Sequence, residues 1–144
     1  MIVDSSVLMA IVLIEPPWAV LREHLAAPEP KRVSAVTLVE AGMVLESRLG
    51  AIGAMQLDSL VRDVGMEVVP FDEAQSQIAR DAFRRFGKGI HPAGLNFGDC
   101  CVYALSRITR EPLLFIGDDF SRTDIEPALQ PGSVMRASVS RGDG

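Results

Sequence analysis

Four acidic positions in this chain stand where a carboxylate is costly. Asp4 closes the opening stretch MIVD, and Asp118 with Asp119 follows the apolar run LLFIG. Glu40 is the one charge between Arg32 and Glu46, in VSAVTLVEAGMVL, and Asp99 is the one charge between Lys88 and Arg107, in LNFGDCCVYALSR. A carboxylate on an apolar helical face is expensive to desolvate unless something pairs with it. No lysine or arginine lies within a helical turn of Glu40 or Asp99. A divalent cation resolves this, because it offsets the repulsion that would otherwise raise the pKa of clustered acids. Magnesium suits such a site, since it takes hard oxygen ligands and keeps several waters.

Each acid also has a plainer reading. Asn96 with Asp99 three residues on has the form of a helix N-cap with an acid in the first turn. Asp4 can cap the helix that follows it, Glu40 can sit at a helix edge facing water, and the GDDF acids can belong to a turn. The metal reading requires the four positions to meet in space.

The elements that must bring them together follow from patterning. MIVD reads as a short buried strand, and SSVLMAIVLI as a helix with Ser5 or Ser6 as its cap. Pro16 and Pro17 end that helix and prime another over residues 18–26. A strand over residues 32–34 runs into a helix over 35–49, where Val36, Val39 and Met43 recur at helical spacing. Gly50 and Gly53 bracket a break before a helix over 54–63. A strand ends near Pro70, and EAQSQIARDAFRRF is amphipathic, with Ile78, Ala82 and Phe86 inward and Arg80, Arg84 and Arg85 towards solvent. After the loop GKGIHPAGL come a helix over 97–109 and a buried strand over 113–116. SVMRASV is expected to add a strand that runs into the polar tail SRGDG, within a tail region of about residues 135–144.

Short strands, apolar on both faces and alternating with helices, predict a mainly parallel sheet covered by helices, an α/β sandwich. The 144 residues suffice for a single domain over residues 1–144. The composition, 48% hydrophobic and 23% charged, is that of an ordinary globular chain. A net charge of −5 argues against a protein that grips nucleic acid by a broad basic surface. It leaves room for a nucleic-acid enzyme whose metal supplies positive charge locally. The adjacent Cys100 and Cys101 would staple nothing, and with His24 and His91 as the only histidines a zinc site is poorly provided. Both cysteines read as small buried residues in a reducing cytoplasm. The apolar run over residues 7–14 is too short to cross a bilayer, so no membrane role is expected.

Taken together, MIVDSSVLM, the lone Glu40 in SAVTLVEAGMVL, LNFGDCCVYALSR and PLLFIGDDFSRTDI resemble the PIN domain, and within it the VapC toxins of type II toxin–antitoxin pairs. The resemblance runs from residue 1 to about residue 125. It implies a PIN-like α/β/α sandwich and a Mg2+-dependent ribonuclease, with Mn2+ as a substitute, that forms a homodimer and is held inactive by a cognate VapB antitoxin. It also implies an acidic site of Asp4, Glu40, Asp99 and one acid of the GDDF turn, with Asp118 favoured slightly over Asp119. Ser6 would support the first acid. Asp4 and Asp99 would be the direct metal ligands. Substrate RNA would cross RRFGKGIH, with Arg84, Arg85 and Lys88 on phosphates and His91 on a base or the backbone. Trp18, Val20 and Leu21 fit either the core or an antitoxin or dimer face.

Three other readings compete. A phosphoacceptor domain also keeps acids at strand ends, but it usually has paired acids after its first strand and a late lysine. Here the first strand ends in DSS and no lysine follows Lys88. A catalytically inactive binding module could retain the same acids, and a metal-dependent DNA nuclease would carry the same motifs.

Overall fold

The apolar pairs Ile2–Val3 and Leu113–Leu114 form neighbouring strands in a computed structural model, which describes residues 1–130, 132 and 133. With β1 (Ile2–Val3), β2 (Arg32–Ser34), β3 (Glu67–Val69) and β4 (Leu113–Leu114), the sheet runs in the order β3-β2-β1-β4 and every pairing is parallel. The helices are α1 (Ser5–Leu13), α2 (Trp18–Leu25), α3 (Ala35–Leu49), α4 (Ala51–Asp63), α5 (Glu73–Phe86) and α6 (Phe97–Thr109).

Successive strand residues point to opposite faces, so each strand feeds two cores. Ile2 and Leu113 pack with Ala82, Leu95, Tyr103 and Leu105 under α5 and α6. Val3, Val33 and Leu114 pack with Val7, Leu8, Leu21, Leu45 and Leu57 under α1 to α4. This is the α/β/α sandwich that the sequence predicts. Leu21 is fully buried and Trp18 packs against the same core, which realises the core reading of that segment.

The chain builds β1, β2 and β3 outward in one direction, then returns to place β4 on the other side of β1. Such a reversal opens a crevice at the carboxyl ends of the two flanking strands, where ligands bind in parallel sheets. Asp4 follows β1, and Asp118 and Asp119 lie in the turn after β4. The opposite edge has charges that are already paired. Arg32 bonds Glu67 at 2.9 Å and also reaches Glu111, whose carboxylate meets the N-terminal amine at 2.9 Å.

Several boundaries differ from the sequence reading, each for a physical reason. Asp4, not Ser5 or Ser6, caps α1, because its side chain accepts the Ser6 N–H. α4 begins at Ala51 rather than residue 54. Gly50, at φ +68°, makes the whole break, while Gly53 lies inside α4, where a Cβ would overlap the Leu45 carbonyl of α3. β4 ends at Leu114 because the Ile116 N–H turns to a side chain instead of the ladder. Apart from Ser133, the expected strand in SVMRASV and the polar tail lie outside the described residues.

Candidate active site

Asp4 is 5% exposed where β1 turns into α1. Its Oδ2 accepts the Ser6 N–H at 3.2 Å and the Ser6 hydroxyl at 2.6 Å. The same hydroxyl oxygen accepts the Ile116 N–H at 3.1 Å. Ser6 therefore ties the carboxyl ends of β1 and β4 together and aims Asp4 between them. Burial pushes the Asp4 carboxyl above the usual carboxylate range, and the Glu40 charge adds to this against the two Ser6 bonds.

Asp99 does cap α6. Asn96 Oδ1 accepts the Asp99 N–H at 2.9 Å, and Asp99 Oδ2 accepts the Asn96 N–H at 3.1 Å, a reciprocal capping box. Capping occupies one carboxylate oxygen and leaves Oδ1 without a hydrogen bond from the described residues. The carboxyl is pushed up to about 6, first by burial and then by the charges of Asp4, Asp119 and Glu40, with the Asn96 N–H opposing. A pure cap would be lowered by its helix. Asp99 is raised chiefly by its burial, and three other acids in its surroundings add to the shift.

Glu40 projects from the second turn of α3 and is half-buried. Its carboxylate lies across Gly98 of α6, in the space a Cβ there would fill. Gly98 is therefore part of the site's construction, although it carries no chemistry. Its signal in the sequence was only a glycine in a helix's first turn, beside the acid. Thr37, one turn before Glu40 on the same face of α3, has a buried hydroxyl with no hydrogen-bond partner among the described residues.

The GDDF turn starts at Gly117, with φ +99°, a conformation that favours glycine. Both acids after it are exposed. The charge of Asp119 reaches Asp99, and Asp118 is not among the groups that shift it. The Asp118 carbonyl instead closes the turn, accepting the Ser121 N–H at 3.2 Å and its hydroxyl at 2.6 Å.

Among the described residues none of these acids has a lysine or arginine partner. No three acid, Cys or His side chains among them stand close enough to form a finished ligand set. What has assembled is an uncompensated group of carboxylate oxygens with an orphaned hydroxyl on the adjoining helix face. That donor set fits a hard divalent cation with retained waters.

The predicted basic residues do not gather at the acids. Arg85 donates to Tyr103 Oη at 3.3 Å and to Asp124 at 3.2 Å, and its guanidinium stacks 4.7 Å from the Phe86 ring centroid. Asp124 is also within 3.8 Å of Arg107, so this network belongs to the far end of α6 from Asp99. His91 accepts the Ala93 N–H at 3.0 Å through Nδ1 and packs edge-on against Phe86, holding its loop. Lys88 is exposed, and Arg84 borders a groove between α5 and α6. Burial raises the Cys100 and Cys101 thiols to about 11, with Asp99 adding at Cys100 and Glu40 at Cys101, so both are protonated and inert.

A parallel sheet with acids converging at its switch point defines a class, and the comparisons agree with it. The PIN domain family model matches residues 1–126. Ribonuclease VapC28 of Mycobacterium tuberculosis is 43% identical over 130 residues, which is 90% of this chain and 98% of that protein. Among solved structures, Mycobacterium tuberculosis VapC20, a sarcin–ricin-loop-cleaving toxin, superposes with a TM-score of 0.72 at 17% identity, covering 86% of this chain and 95% of that one. VapBC2 of Rickettsia felis, bound to a promoter DNA fragment, gives 0.68 at 14% identity, covering 88% and 94%. The chain belongs to the PIN-domain family and, within it, to the VapC ribonucleases.

Proposed function

We propose that this chain is the toxin of a type II toxin–antitoxin pair, a magnesium-dependent endoribonuclease that works through Asp4, Glu40, Asp99 and Asp119. The carrying observation is geometric: Asp4 at the end of β1, Asp99 at the start of α6 and Glu40 lying over Gly98 come together at the sheet's switch point without a basic partner among the described residues. Its ribonuclease relatives favour RNA over DNA as the substrate. They also weigh against an inactive binding module.

Asp4 and Asp99 would hold the cation directly. Asp4 is held rigidly by Ser6, and Asp99 has its Oδ1 free. When bound, a divalent cation acidifies water and neutralises charge on the phosphoryl oxygens. Glu40 accepts no hydrogen bond from the described residues, so its oxygens are open to orient a water and take its proton. Asp119, exposed at the rim, is placed to hold a further water. The apolar floor beneath Asp4 keeps these carboxylates in a poorly screened setting, where their charge acts strongly.

A cognate VapB antitoxin, a homodimeric state and a cytoplasmic location complete the reading. The fold shared with the VapBC2 complex supports the antitoxin, and the free buried thiols support the compartment. Among the described residues no single helix is long and apolar enough to cross a membrane. The test is incubation of purified, antitoxin-free protein with cellular RNA. Discrete cleavage with Mg2+ or Mn2+ that stops in EDTA is expected. Undiminished cleavage in EDTA would contradict the proposal.

A further inference from the structure

A groove of about 480 Å³ runs between α5 and α6. Phe71, Phe83 and Phe97 line it together with Cys100 and Cys101, and Arg80 and Arg84 stand at its edge. Its position is set by the helix that carries the active site. Phe97 is the first residue of α6, immediately before Gly98 and Asp99, and Cys100 follows them. Groove and acids therefore flank the same helix N-terminus, on different faces of it.

Two features of the groove are out of keeping with a closed surface. Phe97 is 78% exposed and Phe83 is 46% exposed. Water-exposed aromatic rings beside a polar site usually mark a binding surface. Arg80 makes no ion pair among the described residues, and Arg84 has only an exposed contact with Asp81 at 3.5 Å.

We propose that this groove is the substrate-strand subsite of the ribonuclease, with Phe97 stacking on a nucleobase next to the scissile phosphodiester and Arg80 and Arg84 binding the flanking phosphates. The inference rests on the ribonuclease reading and adds to it where the strand lies. Its argument is complementarity. Single-stranded RNA presents flat apolar base faces on an anionic backbone, and the groove presents flat rings with a cationic edge. The acid cluster repels phosphate, so the strand needs attractive contacts just outside it. The groove supplies these through Phe97 of α6 and Arg80 and Arg84 of α5, whereas Arg85 and His91 are engaged elsewhere. Stacking has no base preference, so this subsite would position the strand and leave target choice to other surfaces.

The test uses the full chain carrying Asp99→Asn, so that RNA is bound without turnover. Affinity for a fluorescein-labelled single-stranded RNA is read by anisotropy in Mg2+ at several salt concentrations. Phe97→Ala is expected to weaken binding roughly 10-fold, and Arg80→Ala to lower the salt slope by about 0.7. Phe97→Trp, in a Trp18→Phe background, is expected to retain binding. Its fluorescence should be quenched by RNA but not by an abasic strand of equal length. RNA binding that ignores Phe97→Ala and leaves the Phe97→Trp emission unchanged would overturn the subsite while leaving the ribonuclease reading intact. Unchanged RNA affinity with a shift of Phe97→Ala from dimer to monomer in sedimentation would assign the groove to a second copy and overturn it as well. Absence of any RNA binding by the Asp99→Asn protein would overturn the subsite, and metal-dependent cleavage of the same RNA by the wild type would leave the ribonuclease reading intact.

Discussion

The Glu40 carboxylate lies in the space where a side chain on Gly98 would begin. Thus α3 supplies an acid and α6 supplies the vacancy that lets it approach Asp99. Gly98→Ala should raise helix propensity yet push Glu40 aside, since the far end of a flexible side chain yields before backbone does. We expect cleavage to fall on the order of 10²-fold, the usual cost of misplacing a reacting group by about an ångström, with the melting temperature little changed. The control is a cycle with Glu40→Gln. In that background Gly98→Ala should cost almost nothing further, and an equal second loss would mean that Gly98 acts otherwise.

Ser6→Ala removes two hydrogen bonds through one atom. It leaves Asp4 without its 2.6 Å donor and the Ile116 N–H without an acceptor. A stability loss of about 1–3 kcal/mol is expected in denaturant titration, because a buried donor is left unsatisfied. Divalent-cation affinity should fall about 10–100-fold as Asp4 loses its orientation. A variant with normal affinity would show that Asp4 is held by its surroundings alone.

The raised acids give the metal-free protein a pH dependence of definite sign. The Asp99 carboxyl titrates near 6 when folded, above its ordinary value of 3.8. The folded state therefore holds the proton more tightly across that interval. The stability this contributes is complete below the ordinary value and is lost as pH rises through about 6. In EDTA the melting temperature should decline across this window, and Asp99→Asn should flatten the decline. Added Mg2+ should restore stability at neutral pH in the wild type but not in the variant. A wild-type profile that rises through the window would contradict the clustering of acids.

The two acids of the GDDF turn should separate cleanly. Asp119→Asn is expected to lower cleavage about 10–100-fold, as loss of an outer partner of a metal site does, while Asp118→Asn stays near the wild type. The reverse order would assign the role to Asp118.

Most of this site was legible as lone charges in apolar runs. Glu40 and Asp99 announce themselves because nothing local can neutralise them, and Asp4 because it ends a buried strand. The cap and the cluster were posed as alternatives for Asp99, yet a carboxylate has two oxygens and α6 uses one for capping. Choosing between Asp118 and Asp119 was beyond the sequence. Adjacent turn residues differ only in direction, and the backbone at Gly117 sets that direction. Gly98 was unreadable for a related reason, since its importance lies in what crosses it from α3. The basic stretch near residues 84–91 divides in space in a way its pattern does not show: Arg85 is committed to Asp124 and His91 to its own loop, while Lys88 is exposed and Arg84 borders the groove.

The central claim is that acids distant in sequence form one divalent-cation centre. Mn2+ binding, followed by electron paramagnetic resonance on the wild type and on Asp4→Asn and Asp99→Asn, tests it most directly. The account predicts a saturable Mn2+ site in the wild type, competed by Mg2+ and lost in both variants while their folds persist. Equal Mn2+ binding by all three proteins, or none by the folded wild type, would contradict it.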